Sequence, residues 1–196
     1  MFGYNSGMKN IEKATNTEIL SIKKWSKEKK NSQYIRKVIY KDFKNLDKNE
    51  VKFKDDAIVI QSMFKKYDSS FSKDEALYRG KVFYLDKPSD KELFNTFVSS
   101  AYKSMNDGTF FVPDSVFRST TTDLQEALKF AEITNKAKKS VIVTYSKRVS
   151  NELDISSFSA YSSEKEILIN GGIRYKVVKF VQDKDKNIFI ELEEML

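Results

Sequence analysis

Apolar positions in the first seventy residues recur at three- and four-residue spacing, the period of a helix with one buried face. Ile19, Ile22 and Trp25 share such a face, and Thr15 with Glu18 has the capping-box spacing that opens it. Tyr34, Ile35, Val38, Ile39 and Phe43 mark a second helix. Asp55 opens a third that carries Ile58, Ile60, Met63 and Phe64. Polar, Lys-rich connectors such as Lys44 to Glu50 separate them.

Near Glu75 the pattern changes. Ala76 to Tyr84 is aromatic and β-prone and reads as a strand. Ser89 and Glu92 are spaced as another capping box, ahead of a helix with Leu93, Phe94, Phe97, Val98, Ala101 and Tyr102 on its apolar face. Asn106-Asp107-Gly108 is a turn, and Phe110 to Ser119 reads as extended. Thr122 with Gln125 caps a helix bearing Leu124, Ala127, Leu128 and Ala131. Ser140 to Tyr145, Glu166 to Ile169, Ile173 to Val181 and Asn187 to Leu192 read as strands. The second and third of these are joined by Asn170-Gly171-Gly172, and Asp183 to Lys186 is a turn. Helices first, then mostly strands with two helices interposed, predict an α+β fold with an antiparallel or mixed sheet. The expected organisation is a single domain over 1–196, with a helical part at about 10–70 and a mixed core at about 75–196.

Composition narrows the chemistry. The 196 residues are 40% hydrophobic, enough for one good core. No apolar run approaches the roughly 20 residues of a membrane span. Met1 to Leu20 has no continuous apolar stretch, so no signal peptide is expected. There is no Cys and no His, which removes thiol nucleophiles, disulfides, Ser-His-Asp triads and histidine acid–base chemistry. Carboxylates, Lys, Arg, Tyr and hydroxyls remain. The net charge is +7. That balance suits anionic ligands, acidic protein surfaces or nucleic acid, and also serves simple solubility. Among cations that are nearly all Lys stand Arg36, Arg79, Arg118, Arg148 and Arg174; where a planar fork must grip a phosphate, Lys does not replace Arg.

Three segments carry candidate chemistry. Tyr78-Arg79-Gly80 lies on the first strand, where Arg grips phosphate and Gly admits close approach to the backbone. Phe117-Arg118-Ser119-Thr120-Thr121-Thr122 places four hydroxyls ahead of a helix that needs one as a cap. Tyr161-Ser162-Ser163-Glu164-Lys165-Glu166 enters a hydrophobic strand. Read as extended, it puts Glu164 and Glu166 on one face, roughly 7 Å apart. Two neighbouring carboxylates repel, so one can serve as a base while the other stays ionised; a solvated edge of charged residues is the alternative reading.

In order and spacing these segments resemble the R-S-E group of mono-ADP-ribosyltransferase toxins, the family of clostridial binary-toxin enzyme components and related exoenzymes. Tyr78-Arg79-Gly80 matches its aromatic-Arg-Gly strand, Ser119-Thr120-Thr121 its Ser-Thr-Ser/Thr strand end with Thr121 in place of Ser, and Glu164-Lys165-Glu166 its Glu-X-Glu or Gln-X-Glu. Lys129-Phe130-Ala131 is similar to the end of the helix that follows, and Glu166 to Ile169 with Gly171-Gly172 to the family's final hairpin. The resemblance covers about residues 55–196 and, more loosely, the N-terminal helices.

It implies two packed, mainly antiparallel sheets forming a cleft for NAD as co-substrate, with no metal. It implies that Arg79 binds the phosphates and that Gly80 lies against the nicotinamide amide. Ser119 would hold Glu166, with Thr120 and Thr121 supporting that corner. Glu166 would be the catalytic glutamate, Glu164 would engage the acceptor, and Tyr161 would sit in the substrate-recognition turn. Glu at position 164 goes, in that family, with arginine acceptors. The implied partner is a target protein presenting an arginine: actin-like, a GTPase, or a host transcription or translation protein. No receptor-binding or translocation domain fits in this length, so the expectation is a toxin's catalytic part with a delivery partner, a phage- or bacterium-encoded intracellular modifier, or an excised domain. The segment after Thr121 is shorter than in many of these toxins, whose loop there carries a second Arg; Arg118 is the nearest candidate. Two other readings stay open: an NAD glycohydrolase with water as acceptor, and a basic nucleic-acid-binding module without catalysis.

Overall fold

A computed structural model describes residues 9–68, 75–135 and 138–195. The fold is mixed α+β, and the described residues divide into two compact units.

The first unit contains the described residues within Met1–Phe71, Ser115–Arg118 and Ser150–Gly171. Its helices are α1 (Asn16–Lys27), α2 (Lys29–Tyr40), α3 (Lys48–Val51) and α4 (Lys54–Lys66). The Thr15–Glu18 capping box forms as expected: Thr15 Oγ1 accepts from the Glu18 amide while the Glu18 carboxylate accepts from the Thr15 amide. The connector expected over Lys44 to Glu50 contains a one-turn helix instead. Asp47 and Glu50 cap α3 with the same reciprocal geometry as Thr15 and Glu18.

Ile22, Trp25, Ile35, Val38, Ile60, Met63 and Phe64 pack into one core with Phe117, Leu153, Ile155 and Leu168. Burying these side chains removes most of their apolar surface from water, at roughly 25 cal/mol per Å². Ile58, expected on the same face of α4, is exposed. Strands β1 (Lys9–Asn10) and β2 (Tyr67–Asp68) form a short parallel pair. Glu18 is buried beside this pair and accepts from Lys66 Nζ and from the Tyr67 hydroxyl, each at 2.8 Å.

The second unit contains the described residues within Ser72–Asp114, Ser119–Val149 and Gly172–Leu196. Strand β3 (Leu77–Phe83) lies between residues of β4 (Arg118–Thr121) and β5 (Lys139–Lys147), antiparallel to both. Back in the first unit, β6 (Glu152–Asp154) pairs antiparallel with β7 (Glu166–Ile169). In the second, β8 (Tyr175–Gln182) runs antiparallel to β9 (Ile188–Glu194), which is parallel to β5. The hairpin expected across Asn170-Gly171-Gly172 is therefore not the pairing made: β7 takes β6 as its partner and β8 takes β9. The segment Phe110 to Ser119, expected to be extended throughout, contributes one bridge at Phe111 and then β4 from Arg118.

Helix α5 (Pro88–Asp107) does not use the expected Ser89–Glu92 box. Pro88 occupies the first turn, where its missing N–H costs nothing, so Ser89 already lies inside the helix. Asp90 instead accepts from the Tyr84 amide. Gly108, at φ 72°, supplies the left-handed C-terminal stop. Leu93 and Tyr102 face solvent, while Ala101 and Ser104 are buried. Helix α6 (Leu124–Phe130) is capped by Asp123, one residue after the expected Thr122. Thr121 Oγ1 accepts from the Asp123 amide and so fixes the entry turn.

Among the described residues no helix is long and apolar enough to cross a membrane.

Candidate active site

The predicted site residues fall into two groups, one in each unit. In the second unit Arg79, on β3, donates from Nη1 to the Ser119 carbonyl at 2.5 Å, so the first two motifs meet. The meeting is through backbone at Ser119, a contact the spacing of the motifs does not foretell. Arg79 Nε lies 3.9 Å from Asp114 Oδ2, and Nε makes no hydrogen bond among the described residues. Asp114 Oδ1 also accepts from Lys81 at 3.2 Å, and Lys81 Nζ sits 4.4 Å from the centre of the Phe97 ring. Asp114 thus balances two cations on one strand face. Thr120 and Thr121 are buried at the end of β4.

Gly80 is constrained from within its own unit. A Cβ at residue 80 would lie 2.1 Å from the Ala127 carbonyl oxygen and 2.6 Å from the Ala131 amide nitrogen. Helix α6 therefore packs closely against the backbone of this strand residue.

In the first unit Glu166 opens β7 and is 6% exposed. Its Oε1 accepts from Trp25 Nε1 at 2.9 Å. This partner lies 141 positions away in sequence, on α1. Sequence reasoning placed Trp25 in the core and missed its polar role; a buried indole needs an acceptor for its N–H, and that was the signal available. Glu164 is not on an extended strand with Glu166. It ends a 3₁₀ turn over Ser162–Glu164, and Lys165 follows at φ 47° and ψ 50°. The left-handed residue breaks the period-2 alternation that would have put both acids on one face. Glu164 is half-buried and Glu166 buried, so the two carboxylates differ in environment.

Tyr161 is 51% exposed and donates from its hydroxyl to the Lys27 carbonyl at 3.3 Å. The Ala160 amide donates to Ser26 Oγ at 2.8 Å. The loop ahead of β7 is thereby pinned to the last turn of α1.

The sparse arginines are used as planar groups. Arg36 lies over the Trp25 ring at 5.5 Å and Arg174 over Phe110 at 4.6 Å. Arg148 donates to the Glu75 and Tyr145 carbonyls. Arg36 and Arg118 line a cleft of about 270 Å³ with Gln33, Lys37, Tyr40 and Val116. Its lining is cationic and aromatic without a carboxylate, a composition that attracts anions.

No protein-family model matches the chain, and no curated protein matches its sequence. Solved structures do match its fold. The ADP-ribosyltransferase Vis of Vibrio splendidus, in complex with agmatine, is 16% identical over 97% of this chain and 78% of its own, with a TM-score of 0.65. Plx2a, an ADP-ribosyltransferase toxin from Paenibacillus larvae, is 16% identical over 94% of this chain and 89% of its own, with a TM-score of 0.60. C3stau2 from S. aureus, solved with NAD, is 17% identical over 93% of this chain and 88% of its own, with a TM-score of 0.60. The fold is that of ADP-ribosyltransferases.

Proposed function

We propose that the protein is a mono-ADP-ribosyltransferase of the R-S-E type that moves ADP-ribose from NAD to an arginine side chain. The observation that carries the reading is Glu166: a buried carboxylate, oriented by an indole donor, at the start of a strand in this fold. The three motifs support it, as does the NAD bound by C3stau2. For the acceptor, the support is Glu164 two residues before Glu166 and the agmatine, a guanidine, bound by Vis.

The donor set suits a dinucleotide. Arg79 presents a guanidinium whose Nε lacks a hydrogen bond among the described residues, and Arg36 and Arg118 line an anion-attracting cleft. In this reading Arg79 holds the pyrophosphate and the Gly80 backbone meets the nicotinamide amide. The family resemblance assigns Ser119, with Thr120 and Thr121, the support of the catalytic glutamate. As the nicotinamide bond breaks, the leaving group departs neutral and positive charge develops on the ribose. The fixed Glu166 carboxylate stabilises that charge in the transition state. Departure of a pyridinium needs little acid catalysis, so a chain without His or Cys is equipped for it. Glu164 orients the acceptor guanidinium and takes its proton as the new bond to the ribose carbon forms. Tyr161, exposed at the head of the turn, meets the target protein around its arginine.

Two variants test this. Glu166→Gln loses both transfer to agmatine and NAD hydrolysis, by roughly 10²–10³-fold in kcat. Glu164→Gln loses transfer by a similar factor and keeps hydrolysis. Normal transfer by both variants overturns the assignment. Hydrolysis by the unaltered protein without any transfer to agmatine or to lysate proteins makes water the acceptor.

A further inference from the structure

We infer that Trp25 is the positioning residue for Glu166, and that the last turn of α1 is the template on which the acceptor-side loop is built. The inference rests on Glu166 being the catalytic carboxylate.

Three consecutive residues of α1 each hold a different point of one loop. Trp25 Nε1 holds Glu166 Oε1 at 2.9 Å, Ser26 Oγ receives the Ala160 amide at 2.8 Å, and the Lys27 carbonyl receives the Tyr161 hydroxyl at 3.3 Å. A core tryptophan needs only some acceptor for its N–H. Here the acceptor is the carboxylate proposed to stabilise the charge developing on the ribose, and the flanking residues of the same turn hold the two residues at the head of that loop.

The indole cannot turn away. It is 1% exposed and lies against Phe117 at 5.0 Å between ring centres; Phe117 in turn packs on Phe64 at 5.6 Å. The Arg36 guanidinium covers its ring at 5.5 Å. A rigid ring gives its single N–H one direction, so Oε1 is fixed. A carboxylate held by a charge-assisted hydrogen bond needs no reorganisation as charge develops beside it.

Trp25 is the only tryptophan, which makes the test clean. Trp25→Phe keeps an aromatic ring in the core and removes the N–H. Replacing tryptophan throughout the chain with benzothienylalanine, an isostere carrying sulfur in place of N–H, changes this one group and little of its shape. Both proteins are expected to cleave NAD with kcat lowered roughly 10- to 100-fold, the effect of losing a hydrogen bond to a charged group. KM for NAD should stay within about twofold. Wild-type kcat in the isostere protein overturns the inference even if Trp25→Phe folds poorly.

Glu166→Gln, assayed beside them, separates the two levels. If it cleaves NAD at the normal rate, the reading of Glu166 fails and this inference with it. If it is inactive while the isostere protein is fully active, the positioning role alone fails. The Trp25 emission maximum should shift in Glu166→Gln, because the charge at its N–H is gone; an unchanged spectrum counts against the contact itself.

Discussion

The Ala127 carbonyl oxygen stands 2.1 Å from where a Cβ on residue 80 would be placed, so β3 and α6 meet at a point only glycine can occupy. Gly80→Ala forces a methyl group against backbone that cannot rotate away. The expected cost is about 3 kcal/mol, at the upper end for overpacking. A lowered denaturant midpoint with an unchanged slope checks it. A variant as stable as the parent shows that α6 can yield.

Arg79→Lys keeps the charge and loses the planar fork. Lysine cannot reproduce the guanidinium that donates to the Ser119 carbonyl beside Asp114. NAD affinity is expected to fall about tenfold, measured by calorimetry, together with a lowered thermal midpoint from loss of the Ser119 contact. Equal affinity removes Arg79 from the phosphate-binding role.

Glu18 links acidity to stability. Burial alone would raise its pKa, but the Lys66 ammonium, the Thr15 amide and hydroxyl and the Tyr67 hydroxyl override burial and hold it at about 2. A carboxyl depressed on folding contributes stability above its unfolded pKa and loses it as pH falls through the folded one. The first unit should therefore weaken between about pH 4.5 and pH 2. Glu18→Gln should lower stability at pH 7 and flatten that acid limb, as urea titrations at several pH values would show.

Ser26→Ala removes the acceptor of the Ala160 amide. The amide lies near solvent and can turn to water, so the stability change should be below about 1 kcal/mol. Its hydrogen exchange should nonetheless quicken, and KM for agmatine should rise with kcat for NAD hydrolysis unchanged. Unaltered exchange at residue 160 would show that the loop holds its shape without α1.

Local rules were legible where one interaction dominates. Thr15 and Glu18 announce their helix because both halves of the box are present and nothing competes. Asp47 and Glu50 carry the same signature in a stretch so rich in lysine that it reads as linker. Ser89 and Glu92 carry it falsely, because Pro88 starts the helix first. The candidate site divides the same way. Arg79 and Ser119 stand out as motifs, and β3–β4 pairing brings them together. The Glu164–Glu166 geometry was hidden, since spacing two apart means a shared face only in a strand, and Lys165 takes a left-handed conformation that no pattern of side chains announces. Trp25 was hidden for another reason: hydrophobic periodicity reports which way a ring faces, not what its N–H reaches.

The 141-residue separation between the indole and the carboxylate it holds has a consequence for biosynthesis. Residue 166 leaves the ribosome long after residue 25, and only then can the two be joined. A nascent chain carries either the template without the acid or, briefly, both before they have docked. In the proposed function, full NAD cleavage therefore waits until residue 166 has been made and has docked on α1.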